Sequence, residues 1–192
     1  MHRRFFLLSA TALAATPWWL GRGPADAFAA GASGSDGIDV AALGERWRDF
    51  APAEVELPGP DTPLDVSDDE WRERLSPAAY HVLFEEGTER AGTSPLDREQ
   101  REGVFVCAAC ALPLFTSAMK FDSGTGWPSF FTSIPEHLGK SRDFKLLLPR
   151  TEYHCVRCGG HQGHVFNDGP PPTGERWCNN GVALSFLPRA AA

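Results

Sequence analysis

Five cysteines are the residues of this 192-residue chain whose type and spacing point most directly to chemistry. Four of them form two Cys-x-x-Cys pairs, "CAAC" at Cys107 and Cys110 and "CVRC" at Cys155 and Cys158. Two such turns can supply the four thiolates of a tetrahedral zinc site. Disulfides or redox pairs are the alternative, but neither pair is followed by the helical pattern of a redox Cys-x-x-Cys. We therefore predict one structural zinc ion.

The fifth cysteine, Cys178, is then free, and its neighbours are polar. Arg176 lies two residues earlier, on the same face of a predicted strand, where a cation favours the thiolate. His161 and His164 follow the second cysteine pair in "GGHQGHVF" and could donate or accept protons. A cysteine near histidines suits nucleophilic catalysis, although a lone cysteine is more often a buried small hydrophobe. Residue types alone leave both interpretations open.

The elements that must position these residues are short. The stretch "SDDE" fits a capping box that begins a helix at Ser67, and Ser76 followed by Pro77 predicts a second helix that stops at Gly87. Beyond Gly103, apolar runs such as "GVFVC", "FKLLL", "EYHCV", "GHVF" and "GVALSFL" alternate with turn residues. This pattern is typical of antiparallel β structure. We therefore predict a mainly β (α+β) fold with short N-terminal helices.

Three segments are predicted along the chain. Residues 1–30 have a basic start, an apolar run and small residues at A-x-A spacing, which indicates an export signal. The pair Arg3 and Arg4 resembles a twin-arginine signal, with a plain secretory signal or a retained anchor as alternatives. Residues 31–66 are predicted to be a lead-in or linker, and residues 67–189 the main domain. We expect a periplasmic protein without a stable membrane span after signal removal.

Composition excludes some classes of function. Hydrophobic residues make up 42% and charged residues 22% of the chain, which is ordinary for a globular protein. The formal net charge of -7 argues against nucleic acid as a partner, because such binding needs a basic surface.

Several long stretches together resemble the B-type methionine sulfoxide reductases. They are "KFDSGTGWPSF", "HCVRCGGHQGHVFNDGPPPTGERWCNNGVALSF" and the two Cys-x-x-Cys pairs, and the similarity runs from "SDDEWRERL" to "FLP". The resemblance implies two antiparallel β-sheets and a structural four-cysteine zinc site away from the active site. It also implies reduction of the R epimer of methionine sulfoxide in oxidised peptides and proteins, at the expense of a thiol reductant.

The same resemblance assigns roles to individual residues. Cys178 matches the nucleophile, whose thiolate would attack the sulfoxide sulfur and become a sulfenic acid. His161, His164 and Asn180 match the residues that would donate hydrogen bonds and a proton to the sulfoxide oxygen. Trp127, in "GWPSF", would offer its ring to the S-methyl group of the substrate.

Two further positions, Arg176 and Thr125, bear on substrate binding and on recycling of the thiol. Arg176 is predicted to contribute to substrate binding or to tune the thiolate, or else to hold a carboxylate such as Asp168. Many relatives have a resolving cysteine where this chain has Thr125, in "SGTGWPSF". We therefore predict recycling by an external thiol, which could be thioredoxin-like, glutaredoxin-like or a small molecule.

Two other classes of protein would share part of this pattern. A zinc-ribbon-type binding module without catalysis would keep the two cysteine pairs, but it has no use for Cys178, His164 and Asn180 together. A zinc-stapled hydrolase with a Cys/His pair is the other alternative.

Overall fold

The structure, a computed structural model, describes residues 37–144 and 149–190. These residues contain nine β-strands and a few short helices. The predicted export signal, residues 1–30, lies outside the described residues, as does most of the predicted strand in "FKLLL". Within the described ranges, no helix is both long and apolar enough to cross a membrane.

Three short α-helices precede the sheets. They are α1, Val40–Glu45; α2, Asp68–Arg74; and α3, Pro77–Glu85. The capping box at the start of α2 is confirmed, since Ser67 Oγ accepts from the Glu70 amide and the Glu70 carboxylate accepts from the Ser67 amide. Ser76 caps α3 in the same way, with Pro77 in its first turn. Single turns of 3₁₀ helix occur at Trp47–Phe50, Pro95–Arg98, Ser117–Met119 and Gly181–Ala183.

Helix α3 ends close to the glycine that the sequence indicated, but a different residue makes the turn. Glu86 adopts the left-handed conformation, with φ 53°, and the amide of Gly87 donates to the carbonyl of His81. A Cβ atom at Gly87 would lie 2.4 Å from the exposed His81 ring, so a larger residue there would only displace that side chain.

The strands form two antiparallel sheets. Their bounds are β1, Gly103–Cys107; β2, Pro113–Thr116; β3, Lys120–Phe121; β4, Ser129–Phe130; β5, Leu138–Asp143; β6, Arg150–Cys155; β7, His161–Phe166; β8, Arg176–Asn179; and β9, Leu184–Pro188. One sheet has the order β2-β1-β9 and the other the order β3-β4-β8-β7-β6-β5. The predicted fold class, mainly β with two antiparallel sheets and short helices, is confirmed.

Aromatic side chains from both sheets fill the core. The rings of Phe115 and Phe130 stack at a centroid distance of 4.0 Å, and Trp177 meets Tyr153 edge to face at 5.0 Å. Because side chains alternate along a strand, the inward direction of Trp177 places its neighbour Cys178 on the opposite face. A slip of one residue would send Cys178 into the core, so this aromatic packing fixes its position.

The segment before α2 also contacts this core. Trp47 is buried in the core cluster, and Leu57 and Leu64 pack against it. The Trp47 ring meets the ring of His137 edge to face at 6.0 Å. These contacts tie residues from the predicted lead-in to the sheets that carry the site.

Candidate active site and metal centre

The two Cys-x-x-Cys pairs come together in a single cluster. Cys107 ends β1 and Cys155 ends β6, so each sheet contributes one pair. The four sulfur atoms lie within 4.8 Å of one another, with 3.6 Å between Cys107 and Cys158 and 3.5 Å between Cys110 and Cys155. Four thiolates around a metal at 2.3 Å would be about 3.8 Å apart, whereas a disulfide needs about 2.05 Å. The cluster therefore fits a four-coordinate metal ion.

The same backbone turn presents each cysteine pair. The amide of Ala111 donates to the carbonyl of Cys107 at 2.9 Å, and the amide of Gly159 donates to the carbonyl of Cys155 at 2.8 Å. Both donors have positive φ, 61° for Ala111 and 73° for Gly159. Hydrogen bonding with the Cys107 sulfur lowers the pKa of Cys110. A bound cation would hold all four sulfurs as thiolates.

Cys178 lies in a row of polar residues that crosses the six-stranded sheet. On β7 its direct partner is His164, and on β4 its partner is Ser129. His164 in turn pairs with Glu152 on β6. Direct cross-strand partners have Cβ atoms about 4.5–5.5 Å apart and share one face of the sheet. The structure therefore brings the predicted nucleophile next to one of the predicted histidines.

Both predicted histidines have a carboxylate partner. His161 Nδ1 lies 2.8 Å from Glu152 Oε1, and His164 Nε2 lies 2.9 Å from Asp143 Oδ2. Because an ionised carboxylate only accepts, these two nitrogens carry the hydrogens. Burial lowers the pKa of His164, although the bond to Asp143 acts in the opposite direction. The neutral ring is thereby favoured, and its Nδ1 remains available to take up a proton.

Glu152 is held in its charged form. Burial opposes its ionisation, but hydrogen bonds from His161, Ser141 and His154 outweigh burial and lower the pKa of Glu152 to about 2. The carboxylate therefore fixes the orientation and tautomer of the His161 ring, whose centroid lies 5.3 Å from that of His164.

Opposing effects set the ionisation of Cys178. Burial raises the pKa of its thiol, whereas the charge of Arg176 and hydrogen bonds from Arg176 and Thr125 act to lower the pKa. Arg176 also makes two bonds of 2.9 Å to the carboxylate of Asp168, and its guanidinium lies 4.4 Å from the centre of the Phe166 ring. Arg176 thus anchors Asp168, and its charge acts on the thiol; its predicted role in substrate binding stays a prediction.

A small pocket opens beside Cys178. Its volume is about 120 Å³, several times the ~30 Å³ that a liquid water molecule occupies, so it suits the end of a side chain. The residues of its wall include Trp127, Arg150, His164, Phe166, Cys178 and Asn180. His161 and Arg176 do not contribute to this wall.

The loop at Glu89 holds two of the predicted site residues. Trp127 Nε1 donates to the carbonyl of Glu89 at 3.2 Å, and the amide of Glu89 donates to Asn180 Oδ1 at 3.1 Å. Asn180 Nδ2 donates to the carbonyl of Gln162 at 3.0 Å. An amide nitrogen carries two hydrogens, so Asn180 retains one that it can direct into the pocket.

Sequence reasoning did not identify Glu89, Asp143, Arg150 or Glu152. Arg150 lines the pocket and donates to Asp143 Oδ2 at 2.6 Å. Alternation along "RTEYHC" puts Arg150 and Glu152 on one face of a strand. Only the pairing of β6 with β7 shows that His164 shares this face.

Comparison with known proteins agrees with these features. Residues 75–188 match the model of a family described as the SelR domain. A peptide methionine sulfoxide reductase MsrB of Agrobacterium fabrum is 51% identical over 126 residues, which cover 65% of this chain and 93% of that protein. Proteins of the same name from Leifsonia xyli subsp. xyli and Pseudomonas putida are 51% and 48% identical, covering 64% and 67% of this chain and 89% and 98% of their own lengths.

The fold and site, with their thiol, paired histidines and a four-cysteine cluster that could hold a metal ion, are those of a thiol-dependent oxidoreductase. The chain belongs to the SelR domain family, the B-type methionine sulfoxide reductases. Its reaction is the reduction of methionine sulfoxide, which requires oxidised protein substrates and a thiol reductant.

Proposed function

We propose that this protein reduces the R epimer of methionine sulfoxide in oxidised proteins, with Cys178 as the nucleophile. The observation that carries the proposal is the position of Cys178 directly opposite His164, in a pocket whose wall also contains Trp127. A thiol, a proton donor and an aromatic ring are the three components that this substrate requires.

The thiolate of Cys178 attacks the sulfoxide sulfur, and the oxygen is protonated as the sulfur–oxygen bond weakens. The bond formed between Cys178 Sγ and the substrate sulfur then breaks as methionine leaves, and the hydroxyl passes to Cys178 as a sulfenic acid, so the sulfoxide is reduced and the thiol is oxidised. His164, once protonated at Nδ1, supplies the proton, and the remaining hydrogen of Asn180 stabilises the oxygen. His161 assists through its contact with the His164 ring.

Selectivity for one epimer follows from asymmetry in this pocket. Trp127 lies in the wall as the apolar surface for the S-methyl group, whereas His164 and Asn180 supply the polar surface for the oxygen. Exchange of methyl and oxygen at the chiral sulfur would bring the oxygen against the ring and leave polar groups unpaired, which is the costly arrangement.

An external thiol regenerates the enzyme. The other four cysteines are all in the four-cysteine cluster, and Thr125, whose hydroxyl acts to lower the pKa of Cys178, cannot form a disulfide. A thiol of a partner protein or a small molecule attacks the sulfenic acid, releases water and forms a mixed disulfide with Cys178. A second thiol then releases the reduced enzyme.

We further propose that the metal is a single structural zinc ion and that the protein acts after export to the periplasm. Thiolate ligands in tetrahedral arrangement are the usual environment of structural zinc. The export proposal is supported by the twin-arginine-like residues 1–30 alone, and repair of oxidised exported proteins would be its role.

Epimer-resolved turnover of a methionine sulfoxide peptide, with several thiol reductants, tests the proposal. We expect the enzyme to consume only the R epimer of the sulfoxide. The Cys178→Ser variant should have no turnover and an unchanged metal content. Equal reduction of both epimers, or an active Cys178→Ser variant, would contradict the mechanism. Absence of turnover with a thiol that is still reactive to alkylation would favour the binding module instead.

A further inference from the structure

A buried chain of polar side chains links the four-cysteine cluster to the strand of Cys178. Tyr153 Oη donates to Asn179 Oδ1 at 2.8 Å, and Asn179 Nδ2 donates to Gln162 Oε1 at 3.3 Å. Gln162 Nε2 then lies 3.4 Å from Cys107 Sγ. Tyr153, Gln162 and Asn179 are each 0% exposed. Polar groups buried this completely are costly unless they are hydrogen-bonded, so the geometry of these linked side chains is tightly constrained.

The orientation of both amides follows from their neighbours. Asn179 Nδ2 also lies 2.8 Å from the carbonyl oxygen of Asn180, which can only accept, so the nitrogen must occupy that position. Asn179 therefore presents its oxygen to Tyr153, and its nitrogen needs the oxygen of Gln162. The nitrogen of Gln162 is left facing Cys107, where its N–H donates to sulfur.

We propose that Gln162 supports the metal site by donating a hydrogen bond to the ligand Cys107, and that it couples metal binding to β8 through Asn179. A metal-bound thiolate is negatively charged, so an N–H donor stabilises it more than it stabilises a neutral thiol. The main chain of Gln162 is also joined to Asn180, the residue that follows β8, because the Gln162 carbonyl accepts from both the amide and Nδ2 of Asn180. The inference concerns metal affinity and does not depend on the reaction proposed above.

Coupling between two sites is reciprocal, so a change at Asn179 must also affect the metal site. If Asn179 holds Gln162 in the orientation that favours the metal-bound thiolate, replacing Asn179 must weaken metal binding. Asn179 immediately follows Cys178 in the sequence and is not itself in the cluster. Metal affinity is therefore a readout that Asn179, which contacts no cluster cysteine directly, would alter through Gln162.

The first test compares Gln162→Met with Arg157→Met in the full chain. Loss of an outer partner typically lowers metal affinity by about 10–100-fold, which competition with a chromogenic zinc chelator would measure. In cobalt-substituted protein, the thiolate-to-metal charge-transfer band should move to lower energy in Gln162→Met, because a thiolate without its donor is more electron-rich. Arg157 donates to the carbonyl of Cys110 and not to sulfur, so Arg157→Met should leave the band in place. An unshifted band and unchanged affinity in Gln162→Met would overturn the proposal.

The second test asks whether the chain acts as a unit. Asn179→Leu should weaken metal binding, and the double variant with Gln162→Met should bind no more weakly than Gln162→Met alone. Tyr153→Phe removes a single hydroxyl from the far end and should weaken binding less, in the same direction. If Asn179→Leu does not fold, Tyr153→Phe decides the outcome. Wild-type affinity in every folded variant of Asn179 and Tyr153 would overturn the coupling.

Discussion

Cys178 and His164 are direct partners across the β7–β8 strand pair. Gly163 makes the close approach of these strands possible, because a Cβ atom at that position would lie 1.9 Å from the carbonyl oxygen of Cys178. The separation of thiol and imidazole is therefore set by the backbone of the sheet rather than by a mobile loop.

This arrangement predicts unequal effects at the two histidines. His164→Ala should lower kcat/KM by about 10²–10⁴-fold, the usual contribution of a positioned acid or base, without loss of metal. His161→Ala should cost less, because His161 lies outside the pocket wall and acts through its neighbour. Steady-state kinetics with the R epimer provide the measurement, and a larger loss in His161→Ala would reverse the assignment.

The ionisation of Cys178 should respond in opposite directions to two substitutions. Arg176 acts to lower the pKa of Cys178, so Arg176→Met should move the midpoint of thiol alkylation to higher pH. The charge of Asp168 acts to raise that pKa, so Asp168→Asn should move the midpoint to lower pH. The rate of iodoacetamide modification of Cys178 as a function of pH would show both shifts. Shifts of the same sign would contradict the opposed charge effects of Arg176 and Asp168 on the thiol.

Replacing Thr125 with cysteine should restore an internal recycling route. Thr125 Oγ1 is 2.8 Å from Ser123 Oγ, which is 2.8 Å from the hydroxyl of Ser129, the β4 partner of Cys178, so Thr125→Cys brings a second sulfur near the thiol. After one turnover without reductant, mass spectrometry should find a disulfide in this variant and a trappable sulfenic acid in the wild type. Thr125→Ser is the matched control and should behave as the wild type. A turnover-linked disulfide between wild-type Cys178 and a cluster cysteine would refute the external-thiol route.

Loss of one metal ligand should destabilise the whole fold. The cluster joins β1 of one sheet to β6 of the other, and metal binding of this kind is coupled to folding. Cys107→Ser should therefore lower both the metal content and the Tm, whereas Cys178→Ser should change neither. Elemental analysis and thermal melting are the measurements, and full metal retention with normal melting in Cys107→Ser would exclude the four-cysteine site.

Glu89 should matter both for stability and for substrate binding. Its carboxylate accepts from the amides of Gly181 at 2.5 Å and Val182 at 3.0 Å, while its main chain holds Trp127. Glu89→Gln should lower the free energy of unfolding by about 1.5–3 kcal/mol, since hydrogen bonds to a charged acceptor are lost. Urea unfolding measures this effect, and KM should rise as the loop loosens. Glu85→Gln, on the helix surface, should change stability by less than about 0.5 kcal/mol.

Local features of the fold could be predicted because their signals lie within a few residues. The capping box at Ser67, the cap at Ser76 and the paired cysteine turns each depend on contacts between near neighbours. Strand β5, Leu138–Asp143, was not predicted, because its polar sequence "LGKSRD" lacks apolar alternation. As an edge strand it needs only one hydrogen-bonded partner and little buried surface.

The site was predictable only in part for the same reason. Cys178 and His164 could be grouped from residue types and family resemblance, and their pairing across β7 and β8 fits that grouping. Asp143 and Glu89 act on the site across long sequence separations, which no local pattern encodes. Gln162 is polar in a strand and would be expected to face solvent, yet its partners in the buried chain make full burial possible.

The order of strands has a consequence for biosynthesis. Strand β8 lies between β4 and β7, both of which precede it in the chain. A nascent polypeptide that ends before residue 176 thus contains a β3–β4 ribbon and a β5–β6–β7 meander with nothing to pair them, although all four cluster cysteines have already been translated. Cys178 lies on the strand that closes this gap. The thiol therefore enters a sheet whose other five strands all precede it in the polypeptide.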